Sequence, residues 1–343
     1  MTTDTRAEHH PRPERNTPHR SDTTTGRAPA PSGGLLHGLP WLVWRRHRAA
    51  LASGLAVTVL VSAYFTYQHF AVVDFVQRYG TEFNERTGVK FGEQFRIAFR
   101  GGATLLQFLP ALIGLFLGAP LIAGEQEHGT VRLVTTQSVS RGRWIAATLA
   151  LPLTVVVVCT TALSMSYRWM WLPAHTLAFN GDWLLSGPFD VTGPMLPATS
   201  LFFAVCGIAL GVVLKRILTS MVAGVVFMGA FSIAWSRIPE RLGQLRHAFA
   251  PLDQEPSIAA DAIYMDNWVA TADGKFYGFG TCLDSSEAAT DACRAKMGIT
   301  QSVTDYFSFD QMAGMQWRGS IILLVASVLI LGFVVRRARR RPL

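Results

Sequence analysis

Residues Pro120–Trp144 read PLIAGEQEHGTVRLVTTQSVSRGRW. This polar stretch joins two long apolar runs, Ala103–Ile122 and Ile145–Ser166. Each run is about 20 residues, enough as a helix to cross a hydrocarbon layer of roughly 30 Å. The stretch is therefore a polar loop between two membrane spans. Its charges are ordered. Glu125 and Glu127 come early, Arg141 and Arg143 late, with Val131, Leu133 and Val134 between them. That order suits a short amphipathic helix on a membrane face, able to receive a soluble partner. The alternative is an ordinary solvated loop.

The same reading extends to the whole chain. Of 343 residues, 50% are hydrophobic and 16% charged, well below the roughly 25% charged residues of soluble domains. Apolar runs lie at about 49–67, 103–122, 145–166, 196–214, 217–235 and 320–335. They predict an all-α membrane protein of six spans. The net charge of +8 would suggest nucleic acid if it formed one solvated patch. The basic residues gather instead at span ends, where lipid headgroups account for them, so no nucleic-acid partner is expected.

Around the spans, residues 1–34 are rich in Thr, Pro, Arg and His, and read as a disordered cytoplasmic tail. No apolar core follows their charges, so they do not read as a signal peptide. Residues 35–48 carry Trp41, Trp44, Arg45, Arg46 and Arg48 and predict an interfacial helix leading into the first span. In residues 68–102, Phe75, Phe83, Phe91 and Phe95 interleave with mixed charges, as in an amphipathic helix. After the third span, Trp169, Trp171 and Trp183 form an interfacial belt, with Asp182 and Asp190 among them. Lys215 and Arg216 make a tight turn between the fourth and fifth spans. Gly207 and Gly211, four apart, allow close helix approach. Residues 236–316 are the longest polar segment, and 336–343 form a basic cytoplasmic tail.

Six spans place both termini on one side. That side carries Arg45, Arg46, Arg48, Arg141, Arg143, Lys215, Arg216 and the final arginine run. The positive-inside rule makes it cytoplasmic. The expected topology is N-in and C-in, with the Glu125 loop inside and a large extracytoplasmic loop, 236–316, between spans five and six. Cys282 and Cys293 fall in that outer loop, on the oxidising side, and are expected to form a disulfide. Two free thiols are the alternative.

Enzymatic motifs are missing. There is no G-x-x-x-x-G-K-[ST] phosphate loop, no H-E-x-x-H and no G-x-S-x-G. Glu125, Glu127 and His128 read as a charged loop rather than metal ligands. No catalytic residue, cofactor or metal is expected. The span interiors hold no Asp, Glu, Lys or Arg, whereas ion-coupled carriers keep ionisable groups there. A transporter of this composition draws its energy from elsewhere.

Glu125, Gly129, Thr130, Leu133, Thr136, Gln137, Ser140, Arg141 and Trp144 carry a resemblance to the permease subunits of bacterial ABC-2 type exporters. The motif covers some twenty residues, and the span layout extends the likeness from about Trp41 onward. The resemblance implies a permease that works with a separate ATP-binding cassette subunit and a second permease subunit, as homo- or heterodimer, in the plasma membrane. It also implies that the loop, through Glu125, Gly129, Thr130, Gln137, Arg141 and Trp144, meets the ATPase. A large outer loop between the fifth and sixth spans, sometimes disulfide-bonded, is common in that family. The reading from another class is a non-transporting anchor or sensor with an outer ligand-binding loop.

Overall fold

The structure, a computed structural model, describes residues 39–82, 84–127 and 141–340. Among these, six helices are long and apolar enough to cross a membrane by length and composition: Arg48–Tyr79, Glu85–Gly124, Thr148–Ala174, Met195–Leu214, Ile217–Trp235 and Phe309–Arg337. The tail at 1–34 and Phe83 lie outside the described residues.

Helix α1 (Leu39–Tyr79) is continuous. It joins residues that the sequence divides between an interfacial helix and a first span, and runs on past Tyr67. Helix α2 (Glu85–Arg96) begins on Asn84, whose side chain accepts the Thr87 amide at 2.9 Å, with Glu85 in the first turn. Both features satisfy and favour a helix start. Phe91, Phe95 and Phe99 recur every four residues and so share one face. That face packs on Phe75 of α1, with ring centroids 5.5 Å apart for Phe75–Phe91 and 5.7 Å for Phe75–Phe95.

The chain then passes through a π-helical turn (Ile97–Gly101), α3 (Gly102–Leu112), a second π turn (Ile113–Gly118) and α4 (Ala119–Glu127). At the end of the first wide turn the Phe99 carbonyl accepts both the Gly102 amide and the buried Tyr167 hydroxyl, the latter at 3.0 Å. The second turn follows Pro110, which lacks an amide to donate.

Helix α5 (Arg141–Trp171) packs along α1. A short helix α6 (Pro188–Val191) leads to α7 (Met195–Leu214), the most enclosed span, with α3, α4, α5 and the helices Ile217–Trp235 and Met312–Arg340 around it. Close approach is built from glycine. A Cβ on Gly118 would meet the Ala204 carbonyl oxygen at 2.5 Å, one on Gly211 the Ala119 carbonyl oxygen at 2.6 Å, and one on Gly207 would collide with the Gly114 carbonyl oxygen. Here backbone packs on backbone. Lys215 ends α7 with φ 59° and extended Arg216 opens α8 (Ile217–Trp235).

The expectation of an all-α chain fails in residues 236–316. After α9 (Pro239–Leu242), strands β1 (Arg246–Pro251), β2 (Ile263–Thr271), β3 (Phe276–Gly278) and β4 (Ile299–Phe307) form an antiparallel sheet of order β1-β4-β2-β3. The physical reason lies in β2 and β4, which hold Ile, Thr, Val, Trp, Tyr and Phe, residues suited to a pleated, half-buried surface. Asp305 sits buried near the C-terminal end of β4. It accepts the Trp268 indole N–H at 2.9 Å and the His247 Nδ1–H at 2.5 Å, so the burial of its carboxylate is compensated.

Helix α10 (Glu287–Met297) precedes β4. Ser286 caps its start through the Ala289 amide, Arg294 and Lys296 lie in its last turn, and Gly298 at φ 71° closes it. Cys282 and Cys293 are joined, Cα atoms 5.5 Å apart, pinning α10 to the preceding loop. Closing so short a loop restricts the unfolded chain by about 3 kcal/mol. Cys282→Ser is therefore expected to raise hydrogen exchange throughout α10. Exchange rates in α10 equal to those of the parent protein would show that the bond carries no such load.

The sheet is seated on the helices by polar ties. Arg246 forms a two-pronged pair with Asp310, Arg318 donates to the Leu242 carbonyl at 2.7 Å, and the Trp183 indole donates to the Asp261 carbonyl at 2.9 Å. Helix α11 (Met312–Arg340) then returns alongside α7.

Candidate functional site

The loop singled out by the sequence is bounded by α4 and α5. Gly129, Thr130 and Gln137 lie outside the described residues. Glu125 falls in the last turn of α4, and Arg141 and Trp144 in the first turn of α5; their side chains are not among those described. The contact described at this end of the bundle is made by Glu127, which is not among the residues expected to meet the ATPase. Glu127, at the end of α4, accepts the backbone N–H of Ile217 at 3.1 Å. Ile217 is the first residue of α8, so a carboxylate sits on an otherwise unpaired donor at the positive end of a helix. Beside it, a Cβ on Gly124 would lie 3.7 Å from the Ile217 side chain. The start of the loop is thereby tied to the Lys215–Arg216 turn. The only sequence signal was Glu127 standing near a loop start, and the partner is 90 positions away.

At the other end of α8 lies a groove of about 510 Å³. Leu106, Phe203, Met228 and Phe231 give it apolar walls, and Gln107, Thr199, Ser232 and Asp190 add polar groups. Asp190 belongs to α6. It is brought in by a turn at Gly187, where φ is 115° and an added Cβ would stand 3.0 Å from the Gln107 amide nitrogen. Only glycine takes that conformation at low cost. Segment 189–192 is then fixed from α11. The fully buried Gln316 donates to the Phe189 carbonyl at 2.9 Å, the Thr192 carbonyl at 3.0 Å and the Thr192 hydroxyl at 2.9 Å. Burial pushes the Asp190 carboxyl up to about 6, while the Trp235 side chain works in the opposite direction. The sequence placed Asp190 only in an interfacial loop, because its burial comes from α3, α7 and α8.

Among the described residues, no group of three or more His, Cys, Asp or Glu is arranged to hold a metal ion. Cys159 and Cys206 are buried, unpaired thiols.

Residues 55–238 match the model of the family described as ABC-2 membrane transporter related. No curated protein matches the chain. No solved structure matches it either. The matched region begins inside α1, passes through α8 and ends at the residue before α9, so it takes in both helices that flank the Glu125–Trp144 loop and the groove beside Asp190. It covers more than half of the chain, and with its six apolar helices the protein is a multi-pass membrane protein that belongs to the ABC-2 membrane transporter related family.

Proposed function

We propose that this chain is the permease subunit of an ATP-driven exporter, with ATP hydrolysed by a separate ATP-binding cassette subunit. It pairs with a second permease subunit, a second copy or a related chain, in the plasma membrane. Both termini face the cytoplasm, residues 35–48 lie at the interface, and the disulfide-bonded sheet faces outward. Glu125, Gly129, Thr130, Gln137, Arg141 and Trp144 make the contact with the ATPase.

The family match through this loop carries the reading. The bond from Glu127 to Ile217 supports it physically. Motion imposed on the loop reaches α4 and α5 through the chain and α8 through that bond. Since α3, which continues into α4, and α8 line the groove, a push at the cytoplasmic end has a direct route to its walls.

Native purification of the tagged chain is expected to bring down an ATPase with a phosphate-binding loop. Glu125→Ala and Arg141→Ala should leave insertion intact and reduce recovered ATPase about tenfold, equivalent to ~1.4 kcal/mol and within the range for sheltered interface charges. Failure to recover any ATPase with the parent protein, or full recovery and normal stimulated hydrolysis with both variants, contradicts the coupling role.

A further inference from the structure

The groove beside α8 has an unusual charge balance. Its volume of about 510 Å³ suits a drug-sized molecule. Asp190 is its single ionisable lining residue among those described; no Lys, Arg or His accompanies it. Gln107, Thr199, Ser232 and Ser236 also line it, and none of them titrates. Near neutral pH the carboxylate is charged, since burial brings it up only to about 6. A charge in apolar surroundings is costly until an opposite charge is brought to it. Phe231 and Trp235 are stacked on each other, centroids 5.5 Å apart, and both line the same groove. Aromatic rings accept apolar groups and attract cations through their faces.

We infer that this groove binds a small amphipathic cation, with its positive centre at Asp190 and its apolar body against Phe231 and Trp235. The inference deepens the transport reading by naming a substrate class, and rests on that reading only for calling the ligand a substrate. Binding itself requires no ATPase. Because no other titratable group lines the groove among the described residues, affinity should fall as Asp190 takes up a proton.

The test uses the purified chain in nanodiscs, with empty nanodiscs subtracted. Tetraphenylphosphonium and tetraphenylborate have the same shape and opposite charge. The phosphonium is expected to bind at least about tenfold more tightly than the borate. Asp190→Asn should remove most of that preference. Gly229→Leu should weaken phosphonium binding by filling space, since Gly229 lines the groove and a Cβ there meets nothing within 4 Å. Lowering the pH from about 7.5 to about 5 should also weaken it in the parent protein. No phosphonium binding, equal affinity for the two ions, or a flat pH profile overturns the inference, even if Asp190→Asn proves unfoldable. An ATPase that fails to co-purify while the phosphonium binds as described would instead strike the transport reading and leave the binding site standing.

Discussion

Gly207→Leu is expected to yield no monodisperse folded protein, and Gly207→Ala to lose about 2 kcal/mol or more. At this position a Cβ collides with the Gly114 carbonyl oxygen, and its other near neighbours are the Gly114 carbonyl carbon at 3.0 Å and the Ala119 amide nitrogen at 3.1 Å. All three are backbone atoms, so no side chain can swing aside. The helices must separate, and overpacking of this kind costs about 1–3 kcal/mol even for small additions. Separation would also break the register in which Gly118 meets Ala204 and Gly211 meets Ala119. The comparison is with Gly54→Ala and Gly332→Ala, also in apolar helices, where an added Cβ meets nothing within 4 Å. These should be neutral or gain up to about 1 kcal/mol, because alanine is the better helix former. Thermal midpoints and size-exclusion profiles of the variants in one detergent decide the matter. If Gly207→Ala behaves like Gly54→Ala, the helices do not meet through their backbones there.

The contrast between those glycines shows what the sequence reveals and what it hides. Six apolar helices are legible because a run of about 20 uncharged residues has few other uses. The spacing of Gly207 and Gly211 is equally visible. Their partners, Gly114, Gly118 and Ala119, are some 90 positions earlier, and nothing local pairs the two sets. The sheet was concealed by charge and by irregular register. Strand β2 contains Asp266 and Asn267 and shifts register between Tyr264 and Asp266, so the alternation that marks a strand is broken. Strand β4 carries Asp305 at a buried position, and only His247 and Trp268, brought from two other strands, make that tolerable. The candidate loop was legible through a pattern of residue types. The groove was not, because a carboxylate between prolines looks like any loop aspartate until three helices enclose it.

The enclosure of Asp190 depends on Gln316, and Gln316→Leu is expected to cost about 3–5 kcal/mol. Leucine has nearly the right volume, so the loss comes from hydrogen bonding rather than from a cavity. Two backbone carbonyls, those of Phe189 and Thr192, would lose their shared donor in a site closed to water, while the Thr192 hydroxyl keeps its own bond to the Pro188 carbonyl at 2.7 Å. Each buried polar group left unpaired costs about 1–3 kcal/mol. At roughly 2–4 °C per kcal/mol for a chain of this order of size, the thermal midpoint should fall by about 6–20 °C. Gln311→Leu supplies the control. Its Oε1 accepts one amide, from Gln244 at 3.0 Å, and its loss should cost only about 1 kcal/mol. Position matters as much as stability. Segment 189–192, once released from α11, no longer holds Asp190 against α8, so phosphonium affinity should drop in Gln316→Leu well below the melting transition. Gln311→Leu should retain that affinity, since it ties the start of the sheet to the start of α11. Equal midpoints for the two variants would show that the Gln316 amide is dispensable. A lowered midpoint with unchanged phosphonium affinity would separate the packing of the 189–192 segment from the placement of its carboxylate.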